Sequence, residues 1–241
     1  MTIIRVGCSG YYYAHWKGRF YPGGSENTEL FGLYQMCFDN VEINATFYHN
    51  PTARQVESWT GKSRPEFVFS FKPPRSITHY KRLLECRDEL VLFLHLIKPV
   101  REAKKLGCIL FQSPPSLQYS IELLERFTEE LPEGYRYAFE FRNREYYCER
   151  TYSLLAERAM DFVWVSDPDR LPFERFIVLF KYIRLHGEGS RYASQYSREA
   201  LFVLAEKIRK MDADVYCYFN NDYNAYAPHD ALNLIHLLQE L

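Results

Sequence analysis

The chemistry-bearing residues of this 241-residue chain sit at the ends of short apolar runs. In "YIRLHG" (182–187), a period of two places Tyr182, Arg184 and His186 on one face and Ile183 and Leu185 on the other. The same design recurs elsewhere. "VEIN" (41–44) carries Glu42 and Asn44, "FVFSFK" (67–72) ends on Lys72, and "CILFQ" (108–112) ends on Gln112. "YAFEFR" (137–142) carries Glu140 and Arg142, "FVWVSD" (162–167) ends on Asp167, and "VYCYFNND" (215–222) carries Asn220 and Asn221. Lys72, Arg142 and Arg184 suit the holding and polarising of an anion. Glu140, Glu42 and Asp167 supply carboxylates, with Glu140 or Glu42 as general base and His186 as general acid. Asn44, Gln112, Asn220 and Asn221 are amides able to orient a ligand. The chemistry this points to is hydrolysis or lyase chemistry on a phosphate-bearing substrate, such as a nucleotide or nucleic acid. A structural alternative stands beside it, in which the three carboxylates only neutralise the three cations.

Two connections add to the chemical reading. "GYYYAHWKGRFYP" (10–22) carries His15, Lys17, Arg19 and six aromatic rings, Trp16 among them, with no acid; "KPPRSITHYKR" (72–82) carries Lys72, Arg75, His79, Lys81 and Arg82, again with none. Basic side chains interleaved with rings suit a phosphate or carboxylate attached to a stackable base or sugar. This supports a second reading, a non-catalytic binder of single-stranded nucleic acid or a nucleotide. Glu140, Asp167 and His186 have ligand types acceptable to a divalent ion, and a metal-dependent sugar isomerase or lyase is the third reading. No HxxxH or HxH is present and the neighbouring arginines oppose a cation, so no cofactor is expected. A triad of Ser9, His186 and Asp167 lacks the GxSxG elbow that would support it.

These residues need a frame. The runs at 3–10, 41–44, 67–72, 108–112, 137–142, 162–167, 182–187 and 215–222 read as strands, and segments at 29–38, 53–59, 81–105, 121–131, 149–159, 197–211 and 229–241 as helices. The connection "PDRLPFERF" (168–176) offers a short helix at most, and alternation of strand and helix along the chain argues for parallel strands joined by crossovers. Eight such units in this length predict an α/β fold, a single (β/α)8 TIM barrel, in one domain over 1–241. A doubly wound open sheet is the alternative, but no GxGxxG follows the first strand. Val68, Ser70 and Lys72 share a face, as do Ala138, Glu140 and Arg142; Phe67, Phe69, Phe71, Phe139 and Phe141 take the other, which should lie beneath helices.

A net charge of −1 with 25% charged residues confines any affinity for anions to a local patch. The six cysteines form no CxxC pair, which fits reduced thiols in a cytoplasmic protein. The apolar run "LVLFLHLI" (90–97) is far too short to span a bilayer, and no membrane partner is expected.

Taken in order, "GCSGYYYAHWKGRFYP", "FDNVEINATFYHNP", "FSFKPPRSITHYKRL", "LGCILFQSPPS", "FEFRNREYY", "YIRLHG" with "YSREAL", and "YCYFNNDYNAYAPHDALNL" resemble the signature segments of the YecE-like family, domain of unknown function 72. The resemblance spans nearly the whole chain and implies a TIM barrel without a settled reaction. It carries the family's characteristic positions onto Trp16, Glu42, Asn44, Tyr48, Lys72, His79, Gln112, Glu140, Arg142, Asp167, Arg184, His186, Asn220 and Asn221, among others. Tyr11 stands where the family usually has Trp, and "YNAYAPHDA" departs from its usual Gly-containing pattern.

Overall fold

The computed structural model describes residues 2–166 and 180–241. The strands are β1 (Ile4–Cys8), β2 (Asn40–Ile43), β3 (Val68–Phe71), β4 (Leu106–Gln112), β5 (Arg136–Glu140), β6 (Asp161–Phe162), β7 (Trp164–Ser166), β8 (Phe180–Leu185) and β9 (Asp214–Phe219). Between them lie helices α1 (Leu30–Cys37), α2 (Ala53–Lys62), α3 (Arg87–Glu102), α4 (Ile121–Glu129), α5 (Glu149–Glu157), α6 (Arg198–Arg209) and α7 (Tyr226–Glu240). The result is an α/β fold with two parallel sheets, one of four strands in the order β1-β9-β8-β7 and one of five in the order β2-β3-β4-β5-β6. By packing, the chain divides into two compact units, one of residues 2–42, 164–166 and 180–241, the other of residues 43–163.

In the unit of residues 43–163 the alternation of side chains sets both faces of the sheet. Phe69 and Phe71 lie 6.2 and 5.7 Å from Trp59 of α2, and Phe71 lies 6.4 Å from Phe93 of α3. Phe111 and Phe139 meet Phe127 of α4 at 5.0 and 6.2 Å. This aromatic face is fully buried, each ring contributing about 1.5–3 kcal/mol. The opposite face is left to Ser70, Lys72, Gln112 and Glu140, as period two requires. The helices start where local chemistry allows: Thr52 and Gln55 form a reciprocal capping box on α2, and Ser120 accepts from Leu123 N at the start of α4.

In the other unit, β1 runs in register with β9, from Ile4 opposite Val215 to Cys8 opposite Phe219. Arg184 on β8 lies opposite Tyr218 on β9 and Val165 on β7. Ser197 caps α6 through Ala200 N.

Two expectations need correction. The run 162–167 is not one strand: Asp161–Phe162 pairs with β5 and Trp164–Ser166 with β8, divided at Val163. The helix expected over 81–105 begins only at Arg87. Arg82, Leu83 and Glu85 adopt positive φ (52°, 68° and 44°), which no helix accommodates, and the acids Asp88 and Glu89 then fill the first turn of α3. Asp167 and the connection at 168–176 lie outside the described residues.

Candidate anion-binding site

In the unit of residues 43–163, three neighbouring strand ends carry a continuous polar relay. Lys72 Nζ donates to Gln112 Oε1 at 2.7 Å, and Gln112 Nε2 donates to Glu140 Oε1 at 2.6 Å. Arg142 Nε lies 3.7 Å from the same carboxylate oxygen. The relay forms because β4 and β5 align Gln112 with Glu140, and because Lys72 follows β3 on the same face. Lys72, Gln112 and Glu140 are buried, while Arg142 is partly exposed. An amide between an ammonium and a carboxylate satisfies both ions without neutralising either in direct contact.

An aromatic ring and an imidazole stand beside this relay. Lys72 Nζ stands 3.8 Å from the centroid of the Phe47 ring, a cation–π contact, and His79 meets the same ring edge-on at 4.8 Å. Burial, then the charges of Lys72, Arg142 and Arg75, push the His79 imidazole down to about 4, so it is neutral at pH 7. Tyr48 packs edge-on against Phe47 at 5.2 Å and is 57% exposed, which leaves a ring face open to a ligand. Asn44 Oδ1 and Ser113 Oγ are buried without a hydrogen-bond partner among the described residues. Ser113, which follows Gln112 directly, is a polar group the residue pattern did not single out.

The other unit gathers a second set of expected residues. Glu42 accepts from Arg184 Nε (3.0 Å), Arg184 Nη2 (2.9 Å) and Tyr182 Oη (2.6 Å), and also from Ser9 Oγ. Its two oxygens are thereby engaged by four donors, and the pair is fully buried. Burial and the Glu42 charge push the Tyr182 hydroxyl up, keeping it a donor. His186 Nδ1 lies 3.3 Å from Asn220 Nδ2.

Two of the expected ligand residues also make contacts within the protein. Asn221 Nδ2 donates to Asp230 Oδ2 (2.8 Å) and Ser194 O (2.9 Å), tying the segment before α6 to α7. Trp16, expected as a stacking platform, is fully buried. Its indole N–H donates to Asp222 O at 3.1 Å and its ring packs on Tyr13 at 4.7 Å and Tyr21 at 5.9 Å. A ring closed in on all sides fills the loop's own core and offers no face to a base. Among the described residues, no three His, Cys, Asp or Glu side chains converge to hold a metal ion.

Residues 5–241 match the family described as "Protein of unknown function DUF72". The UPF0759 protein YecE of Escherichia coli K12 is 29% identical over 116 residues, 48% of this chain and 42% of that protein. The chain thus spans about half the length of the curated relatives it matches. A DUF72 family protein from Thermotoga maritima MSB8, seen in a crystal structure, superposes with a TM-score of 0.89 at 30% identity, over 98% of this chain and 99% of that one. A family 2 AP endonuclease from Brucella melitensis superposes with a TM-score of 0.52 at 13% identity over 96% of each chain, a likeness of fold alone.

Proposed function

This chain belongs to the DUF72 family, whose description carries no reaction, and we propose from the site itself that it binds a phosphate-bearing ligand at the Lys72–Gln112–Glu140–Arg142 relay. The observation that carries this reading is the relay that holds two cations at one strand-end carboxylate: Lys72 Nζ donates to Gln112 Oε1 at 2.7 Å, Gln112 Nε2 donates to Glu140 Oε1 at 2.6 Å, and Arg142 Nε lies 3.7 Å from that oxygen. Cations held at a buried strand end favour an incoming anion, which adds charge-assisted hydrogen bonds to theirs. Lys72 and Arg142 hold the phosphate, Gln112 keeps them in place, and Tyr48 offers its exposed face to a base or sugar.

The reading extends to hydrolase or lyase chemistry on a nucleotide or nucleic acid, with Glu140 as general base. In its own unit His186 is the general acid, and Arg184 is an anion-polarising group oriented by Glu42. The structural likeness to an AP endonuclease agrees with a nucleic-acid substrate only at the level of fold. We also propose the finer fold, a single closed (β/α)8 barrel domain, supported by parallel pairing of the described strands and by polar residues at their C-terminal ends. A cytoplasmic location is supported by six free cysteines, four of them buried; no helix among the described residues is long and apolar enough to cross a membrane.

A second reading, binding without chemistry, is favoured by the exposure of Tyr48 and Tyr80, the latter beneath Arg75 at 5.2 Å. Fluorescence anisotropy with a short labelled single strand separates the two. Binding that weakens steeply with salt marks phosphate contacts. Cleavage abolished by Glu140→Gln with binding retained supports chemistry; retained binding with no turnover in the wild type supports the binder. Absence of binding at low salt removes nucleic acid and leaves a small anionic metabolite.

A further inference from the structure

Asp230, in the first turns of α7, and Asn221, just beyond β9, are both fully buried. Asn221 Nδ2 donates to Asp230 Oδ2 at 2.8 Å and to Ser194 O at 2.9 Å, and Tyr196 N donates to the same Oδ2 at 3.1 Å. Both partners of Nδ2 are acceptors, which fixes the orientation of the amide and uses both of its hydrogens. The remaining two oxygens, Asn221 Oδ1 and Asp230 Oδ1, are buried with no hydrogen-bond partner among the described residues. While Asp230 is charged, both are acceptors and neither satisfies the other. A single hydrogen between them satisfies both.

We propose that Asp230 carries a proton on Oδ1 and donates it to Asn221 Oδ1, closing a doubly hydrogen-bonded acid–amide pair, and that this pair is a pH-sensitive latch on residues 187–196. On ionisation the O–H bond breaks, the proton passes to a buffer base and the carboxylate keeps the electron pair. The latch is independent of the anion site proposed above. It grips a segment that is bonded to itself: Ser194 Oγ accepts from Gly189 N and Ser190 N, both at 2.9 Å, and Gly187 N donates to Tyr196 Oη at 3.1 Å. Tyr196 Oη also lies 3.2 Å from Ser166 Oγ at the end of β7. His186 immediately precedes the segment, so the latch bears on the connection that leaves this strand end.

The titratable groups acting on Asp230 come from three elements: His229 beside it on α7, Tyr196 on the gripped segment and Cys8 of β1. Burial pushes the Tyr196 hydroxyl and the Cys8 thiol up, so both stay neutral through the acid and neutral range. His229 and the side chain of Gln195, both exposed, favour the charged carboxyl, yet burial outweighs them and raises it to about 6. Other charged groups of the segment and of α6 are engaged elsewhere. Glu188 accepts from Ser197 N at 2.6 Å, Arg191 lies over the Tyr192 ring at 5.6 Å, Arg198 lies 3.7 Å from Glu240, and Lys207 lies over the Trp164 ring at 5.8 Å. A carboxyl raised in the closed state means that the latch is closed at low pH and loosens as pH rises through about 6.

Two measurements on the intact chain test this: a ¹³C titration of the Asp230 carboxyl, and hydrogen exchange of the Tyr196 amide corrected for the intrinsic pH dependence of exchange. With an open-state value near 3.9, protection of Tyr196 N–H is expected to fall about tenfold from pH 5 to pH 7. Asp230→Asn puts an amide N–H where the acid O–H stands, so its protection should be as high at pH 7 as at pH 5. A wild-type carboxyl midpoint near 4, or wild-type protection that does not change, overturns the latch without any substitution. So does a fall as steep in Asp230→Asn as in wild type, or an Asp230→Asn chain that fails to fold.

Discussion

Arg184 reaches Glu42 across 142 residues of sequence and contacts both oxygens of its carboxylate, at 2.9 and 3.0 Å, with neither side chain open to water. The energetic meaning of such a pair lies in its completeness. Removing one partner strands the other as a buried charge, at a cost of about 3–5 kcal/mol. Chemical denaturation of Arg184→Met should show that loss, and combining it with Glu42→Leu should recover part of it. A single Arg184→Met variant within about 1 kcal/mol of wild type would mean that Ser9 and Tyr182 alone hold the carboxylate.

Trp16 and Tyr48 should separate stability from binding. Trp16→Ala removes a buried ring and its bond to Asp222 O, and is expected to cost about 3–5 kcal/mol. Tyr48→Ala removes an exposed ring and should leave stability within about 0.5 kcal/mol while weakening binding of a base-bearing ligand. Melting temperatures and ligand titrations on both variants check the division; the reverse assignment would place the stacking surface on Trp16 after all.

Much of this site is legible in the residue pattern because a strand's period of two is rigid. Once Phe69 and Phe71 are assigned to helices, Ser70 and Lys72 have nowhere else to point, and the same logic places Glu140 opposite Phe139. What period cannot convey is which long-range partner a side chain meets. The Tyr182 hydroxyl on Glu42 spans 140 residues, and Phe47 between Lys72 and His79 depends on how a short loop folds back. The burial of Trp16 has a related reason: composition marks a loop as aromatic and basic but does not say which ring is its core. The divided strand at Val163 and the late start of α3 are decided by pairing and by backbone φ, neither of which leaves a signature in hydrophobic period.

The buried Asp230 makes stability depend on pH. Burial raises its carboxyl to about 6, against hydrogen bonds from Tyr196 N and Asn221 that favour the charged form. A folded-state value above the unfolded one near 3.9 means that the contribution is present below that lower value and is lost as pH rises toward about 6. Asp230→Asn keeps the acceptor oxygen without the charge. Its stability profile should be flatter between pH 4 and 7 than that of the wild type, with the variant gaining relative to it at pH 7. Parallel profiles from denaturation at stepped pH would contradict a raised carboxyl.

Gln112 tests whether the ligand senses the charge of the relay. Gln112→Glu places a carboxylate between Lys72 and Glu140, where it adds a negative charge beside the ammonium and repels an incoming anion. Anion affinity should fall by about tenfold or more, the equivalent of ~1.4 kcal/mol, with the fold intact by circular dichroism. Unchanged affinity would show that the ligand does not sense this charge.

The central claim is that Lys72 and Arg142 form an anion site, and the most direct measurement is calorimetric titration of a nucleoside 5′-monophosphate into wild type and Arg142→Met at low and moderate salt. Saturable one-site binding in the wild type, weakened about tenfold or more by the substitution and reduced by salt, is the predicted result. Binding of equal strength in the two proteins, or no binding to the wild type at low salt, would contradict it.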